Sequence, residues 1–113
     1  MLFRSVRDRS RGERIPLEKM VKIQTHDTAE LYGLLDRGVI APGMKADLNL
    51  IDFEALYLHS PEMIYDLPKQ GRRIIQKVDG YVATIVSGEV IYENGVATGA
   101  LPGKLIRGPQ VAA

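Results

Sequence analysis

The sequence predicts an α+β fold that is mostly β, with short N-terminal helices followed by antiparallel β-hairpins. Apolar residues recur at helical spacing up to about residue 33, and the period then changes from 3.6 to 2. The pairs Ser87-Gly88 and Asn94-Gly95 each separate two apolar runs, as tight hairpin turns do. Helices first and hairpins afterwards, without alternation, favour an α+β unit over a parallel sheet.

The first helix is predicted over about residues 16–24. Pro16 suits a first helical position, and Glu18 lies where its charge favours the helix dipole. Three apolar residues share one face of this helix at i, i+3 and i+4 spacing: Leu17, Met20 and Val21.

The second helix is predicted over about residues 27–33. Thr25 or Asp27 can cap its start, and Gly33 can end it. Its predicted apolar face consists of Ala29, Leu31 and Tyr32.

The remainder of the chain predicts strands and turns. A strand in "ADLNLIDF" begins after the turn at Pro42-Gly43. The stretch "ALYLHSPEMIYDLPKQGRR" contains two prolines and predicts a long connection. Further strands are predicted at about 73–77, 81–87, 89–93 and 96–98, and the tail is expected to fray after about Gly108.

The composition indicates an ordinary soluble domain. The 113 residues are 45% hydrophobic and 26% charged, which fits one globular unit. The chain contains no cysteine, so disulfides, thiolate metal sites and cysteine nucleophiles are excluded. No apolar run reaches the length of a signal peptide or of a membrane span, so we expect a cytoplasmic protein without a membrane partner.

Positive charge is concentrated near the N-terminus. Residues 1–24 contain seven Lys/Arg and three acidic residues, whereas the net charge of the whole chain is +1. A basic segment of this kind can bind nucleic acid, or its arginines can meet carboxylates of a partner or of the same chain. Acidic residues interrupt this segment at Asp8 and Glu13, so we predict no nucleic-acid partner.

The stretch "GVIAPGMKADLNLIDF" resembles a phosphate-binding loop only superficially. Such a loop needs a lysine directly after its second glycine and then a hydroxyl residue, but Met44 separates Gly43 from Lys45 and Ala46 follows. Pro42 also removes one amide donor. We therefore interpret the stretch as a turn and a strand, with Asp47 accepting turn amides.

The same stretch is similar to a C-terminal segment of the amidohydrolase superfamily. The pattern is Gly38-x-Ile40-x-x-Gly43-x-x-Ala46-Asp47 followed by an apolar strand. "YVATIVSGEVIYENG" resembles the hairpin of that family, and "LEKMVKIQTHDTAELYGL" resembles its last helices. "DLPKQGRR" and "TGALPGKLIRG" are similar to the branch that contains N-acyl-D-amino-acid deacylases, and the whole resemblance spans about residues 6–108.

The resemblance implies a metal-dependent hydrolase of non-peptide C–N bonds. It implies a TIM-like barrel with zinc bound upstream of the matched region, and a composite β-sandwich as accessory domain. Residues 1–35 would then be terminal barrel helices, and residues 36–113 would be the accessory part. A zinc centre needs three or four converging ligands, and this chain offers His26 and His59 without a His-x-His pair.

We therefore predict no catalytic, cofactor-binding or metal-binding residue in this chain. His26 and His59 are interpreted as polar surface or capping residues. A Ser-His-Asp triad with Ser60 or Ser87 lacks a supporting spacing. Asp66 is expected to form a loop ion pair with one of two arginines, Arg72 and Arg73.

The predicted function is that of a C-terminal fragment of an amidohydrolase, inactive by itself, with the start at "MLFRSV" suggesting a truncated gene or an internal start. Its expected partner is the missing barrel, or a second copy through exposed apolar surface. The alternative is a free-standing β-rich interaction module that binds another protein or complements a separate barrel.

Overall fold

The computed structural model describes residues 5–111, which form a helical segment followed by short antiparallel strands. The helical segment consists of α1 (Leu17–Lys22), a π-helical turn (Ile23–Asp27) and α2 (Thr28–Leu31). The strands are β1 (Leu48–Ile51), β2 (Tyr57–Leu58), β3 (Glu62–Leu67), β4 (Gly71–Ile75), β5 (Val78–Asp79), β6 (Tyr81–Val86), β7 (Glu89–Glu93) and β8 (Val96–Ala97). A short 3₁₀ turn, Pro68–Gln70, joins β3 to β4. The predicted α+β, mostly β class is confirmed.

A π-helical turn joins the two predicted helices without a break. The predicted cap at Thr25 or Asp27 is wrong, because α2 has no side-chain cap and residue 27 has helical backbone angles. The Thr25 hydroxyl instead donates to the carbonyl of Val21 at 2.8 Å, a bond to the preceding turn that threonine often makes inside helices. Gly33 ends the segment as predicted, with φ of +68°.

The apolar face of the helical segment is only partly buried. Met20 and Ala29, one from each predicted apolar face, are buried. Leu31 and Tyr32, which were predicted on the apolar face of the second helix, have 80% and 72% of their surface exposed. The described residues therefore leave part of this face without cover.

The principal sheet has the order β1-β6-β7-β8, and every pairing is antiparallel. Both predicted hairpin turns are confirmed. Ser87 and Gly88 have φ of +53° and +83°, and Asn94 and Gly95 have φ of +47° and +79°. Positive φ at both central residues matches the right-handed twist of the flanking strands.

A second hairpin, β3–β4, occupies the region predicted as a long connection, so that prediction is wrong. Pro61 and Pro68 flank β3 and do not interrupt it, so its backbone donors remain available to pair with β4. Lys69 and Gln70, both with φ of +57°, turn the chain between the two strands. A two-stranded sheet of β2 and β5 lies beyond this hairpin.

The C-terminal tail is attached to the helical segment. The Gln110 amide donates to the carbonyl of Gly33 at 2.7 Å, and the Leu35 amide donates to the carbonyl of Gln110 at 2.9 Å. The prediction that the chain frays after Gly108 is therefore wrong at Gln110, because two backbone hydrogen bonds hold it there.

The chain is more open than a free-standing domain of its size. Its accessible surface is 8917 Å², whereas a compact monomer of 12.5 kDa exposes about 6,200 Å². Its radius of gyration is 16.5 Å, against about 13 Å for a compact domain of this length. The buried core of the described residues consists of Met20, Ala29 and Leu56.

Within residues 5–111, no helix has the length and apolar character needed to cross a membrane.

Candidate functional site

The backbone amides around Gly43 are used inside the chain and do not form a phosphate cradle. The Met44 amide donates to the carbonyl of Ala41 at 3.2 Å, and the Lys45 amide donates to that of Asp36 at 2.7 Å. The Lys45 ammonium lies 3.9 Å from the Asp47 carboxylate. The donors and the cation that phosphate would need already have partners, which agrees with a structural turn.

Asp47 joins this turn to the main sheet. Its carboxylate accepts the backbone N–H of Ser87 at 2.8 Å, so the predicted turn-amide role is confirmed, with the β6–β7 turn as the donor. The second oxygen accepts from the Arg37 guanidinium at 3.1 Å. The Gly88 amide adds a bond to the carbonyl of Ala46 at 2.9 Å.

Asp36 and Arg37 form the other half of this polar link. Two parallel hydrogen bonds, both 2.8 Å, run from the Arg37 guanidinium to the Asp36 carboxylate. This pairing lowers the pKa of Asp36 below its ordinary value and raises that of Arg37. Both side chains are largely shielded from solvent. The pair joins adjacent residues, and the bond from Arg37 to Asp47 connects them to the residue that precedes β1.

His26 lies in a cluster that the sequence reasoning missed. Its Nδ1 is 3.1 Å from the Asp27 carboxylate and 4.0 Å from that of Glu30. In the described part of the chain these three side chains form the only group of three whose ligand atoms could converge on a metal ion. The signal was present as the i, i+4 spacing of His26 and Glu30, which places both on one helix face.

His59 lies in a second, simpler arrangement. Its Nε2 is 2.8 Å from the Asp79 carboxylate, and its ring meets Tyr57 edge-on at 4.9 Å between centroids. In the described residues neither histidine has a hydrogen bond to a serine hydroxyl, so the geometry offers no support for a Ser-His-Asp triad.

Asp66 pairs with Arg73 through two hydrogen bonds, at 2.7 and 2.5 Å. The ion pair is thus confirmed, although it connects two strands and does not lie in a loop. Hydrogen bonding by Arg73 lowers the pKa of Asp66, but both groups are exposed. The pair therefore connects the two strands of the β3–β4 hairpin.

Arg7 attaches the basic N-terminal segment to the turn between β1 and β2. Its guanidinium donates to the carbonyls of Phe53, Glu54 and Leu56 at 2.7, 2.9 and 2.8 Å. It also pairs with Asp8, which raises the pKa of Arg7 and lowers that of Asp8. One arginine of the segment, Arg4, lies outside the described residues, and the absence of a nucleic-acid partner stays a prediction.

Two apolar surfaces are open to solvent. On the β3–β4 hairpin, Met63 pairs with Ile74, and both are exposed together with Tyr65. Beside α1, a cavity of about 550 Å³ is bordered by Leu17, Val21 and Val39. Contiguous exposed apolar groups usually mark contact with another protein surface.

The sequence matches the family model described as "Amidohydrolase family" over residues 1–92. The chain belongs to the amidohydrolase family. This confirms the superfamily resemblance, and the match to the D-amino-acid deacylase branch stays a prediction.

Curated relatives of this amidohydrolase chain bear different enzyme names. A dihydroorotase from Elusimicrobium minutum is 29% identical over 72% of this chain and 19% of its own length. An allantoinase from Deinococcus radiodurans is 31% identical over 82% of this chain and 20% of its own length. An adenine deaminase from Lysinibacillus sphaericus is 56% identical over 28% of this chain and 6% of its own length.

The amidohydrolase chain spans about a fifth of the length of the curated relatives that it matches most fully. No solved structure matches it. Its two histidines lie in different elements, the π-helical turn and the loop after β2. They do not form a common centre of the kind that binds a catalytic metal, which needs about three convergent ligands and an open position.

Proposed function

We propose that this chain is a C-terminal portion of a metal-dependent amidohydrolase that is inactive without the remainder of the enzyme. Family membership and coverage of about a fifth of the relatives' length support the proposal. In this proposal the chain supplies terminal helices and an accessory β unit of the enzyme. The rest of the enzyme supplies the catalytic metal ligands.

The open surface of the chain carries this proposal. It exposes about 2,700 Å² more than a compact monomer of its mass would. An obligate interface buries about 2,000 Å² or more in total, counted over both partners. An excess of this size, with apolar side chains within it, fits a unit whose faces are covered by a large partner.

The proposed substrate class is the amide bond of N-acyl-D-amino acids. It rests on the segments "DLPKQGRR" and "TGALPGKLIRG", which resemble the deacylase branch. The dihydroorotase and the allantoinase each align with more than two thirds of this chain. Since enzymes with different names share this stretch, we infer that the stretch supports the fold and that residues elsewhere select the substrate.

The experiment is sedimentation velocity of the purified chain at several concentrations, followed by urea unfolding. We expect concentration-dependent association and a broad unfolding transition, because apolar faces remain uncovered. A stable monomer with one cooperative transition would contradict the proposal. The DNA upstream of the Met1 codon gives a second test, since we expect it to encode a His-x-His strand in frame.

A free-standing interaction module is the second candidate, and the β3–β4 hairpin favours it. An isolated two-stranded hairpin is marginal in water, yet this one exposes Met63, Tyr65 and Ile74. A module would dock this face on a partner protein. It would also sediment as a well-behaved monomer, which distinguishes it from the hydrolase portion.

A further inference from the structure

We propose that His26, Asp27 and Glu30 bind a divalent transition-metal ion of the zinc class. The proposal is independent of the amidohydrolase assignment, because all three ligands lie within one helical segment of this chain. Imidazole and carboxylate ligands together suit zinc and its neighbours in the first transition series.

One distance in the cluster already fits such an ion, and a rotamer change of Glu30 would bring in the third ligand. Zinc lies about 2.0–2.2 Å from histidine nitrogen and carboxylate oxygen, so neighbouring ligand atoms are about 3.0–3.6 Å apart. The His26 Nδ1 is 3.1 Å from the Asp27 carboxylate and 4.0 Å from the Glu30 carboxylate. The ligand atoms all lie within 4.8 Å of one another. Glu30 is the most exposed of the three and can close the remaining distance by changing rotamer.

The helical backbone brings the three ligand side chains together. His26 and Asp27 lie in the π-helical turn, and Glu30 follows in α2. The i, i+4 spacing places His26 and Glu30 on one face. A small cavity of about 100 Å³ borders both side chains and leaves space for water to complete the coordination.

A cation already occupies part of this cluster. The Lys22 ammonium contacts the same Asp27 oxygen that faces His26. Lys22 is therefore both a sign that positive charge is favoured here and the internal competitor of the metal ion.

The test is isothermal titration of Zn²⁺ into the chain, purified without a histidine tag and stripped with a chelator. We expect one ion per chain, binding at least tenfold weaker in His26→Asn and in Glu30→Gln. Lys22→Met should bind more tightly, because it removes the competing ammonium. The matched control is His59→Asn, which removes the other histidine, paired with Asp79 alone, and should leave binding unchanged.

Three outcomes would overturn the proposal. They are no saturable binding of Zn²⁺, equal Zn²⁺ affinity of the wild type and His26→Asn, or an equal loss of Zn²⁺ affinity in His26→Asn and His59→Asn. The last two would indicate an adventitious ion only. Titration with Co²⁺ gives an independent readout, since its visible absorption reports ligands directly. Circular dichroism of each variant shows that a loss of binding does not come from unfolding, and Glu30→Gln changes an exposed side chain whose removal should leave the helix intact.

Discussion

Replacing Asp47 with alanine should weaken the contact between the turn at residues 43–47 and the principal sheet. The substitution leaves the N–H of Ser87 without its 2.8 Å acceptor and removes one of the two carboxylates that face Arg37. A hydrogen bond to a charged group contributes about 1.5–3 kcal/mol. Since Asp36 still holds Arg37, the lost ion pair adds at most about 1 kcal/mol. We expect a total loss of about 1.5–4 kcal/mol.

The assay is urea unfolding followed by circular dichroism at two protein concentrations, because association would shift the transition. With a urea dependence of about 1–3 kcal/mol per molar, the midpoint for Asp47→Ala should fall by about 0.5 M or more. Asp47→Asn keeps an oxygen acceptor and should lose less than half as much.

Asp66→Ala is the control, because its carboxylate pairs with Arg73 across the exposed β3–β4 hairpin, where an ion pair contributes little to stability. Its midpoint should stay close to that of the wild type. Equal midpoints for Asp47→Ala and Asp66→Ala would refute the structural role assigned to Asp47.

Three further predictions concern other contacts. Gly80→Ala should lower the free energy of unfolding by about 2 kcal/mol or more in the same urea assay. The added Cβ would lie 2.8 Å from the Leu56 nitrogen, and Gly80 has a φ of +92°. An unchanged urea midpoint would contradict this geometry. Pairing with Arg37 keeps the folded-state pKa of Asp36 below its unfolded value of about 3.9. The stabilisation from this pair is therefore complete above that pH and is lost as the pH falls through the folded-state pKa. Asp36→Asn should make the urea midpoint less dependent on pH below about pH 4, and an unaltered pH dependence would count against the pair. Arg7→Ala should speed tryptic cleavage in the N-terminal segment, because three carbonyl contacts are lost, whereas an equal cleavage rate would show that the segment is held by other contacts.

Local signals in the sequence are sufficient to predict the two hairpins formed by β6, β7 and β8. Asn94-Gly95 and Ser87-Gly88 require positive φ, and few turn types accept that conformation. The sequence does not predict strand β3, because prolines on both sides of a run also favour a loop. Proline removes a donor only at its own position, and β3 lies between Pro61 and Pro68.

Contacts between distant residues could not be predicted in this way. Arg7 donates hydrogen bonds to the carbonyls of residues 53, 54 and 56. Gln110 forms an isolated β-bridge with Leu34. No pattern of period or turn chemistry encodes these pairings, since backbone carbonyls carry no side-chain identity. The His26 cluster is predictable from sequence, because the i, i+4 spacing of His26 and Glu30 is local, but it lacks the His-x-His pattern of the metal site that the family resemblance implies.

Exposure of the helical segment also depends on what surrounds it. The spacing of Leu31 and Tyr32 predicts an apolar face, and the described residues leave both exposed. Amphipathic spacing indicates that a face is suited to burial, and another surface must be present to bury it. This mismatch is what a part of a larger enzyme should show, and the boundaries proposed at residues 35 and 36 stay a prediction.

A turnover assay tests most directly whether this chain catalyses the family reaction alone. The purified chain is incubated with Zn²⁺ and N-acetyl-D-amino acids, with dihydroorotate and allantoin as further substrates and a zinc-only blank. We predict no hydrolysis above the blank, because the histidines of this chain lie in separate elements and do not assemble a catalytic centre. Zinc-dependent turnover that a chelator abolishes and added zinc restores would contradict the central claim.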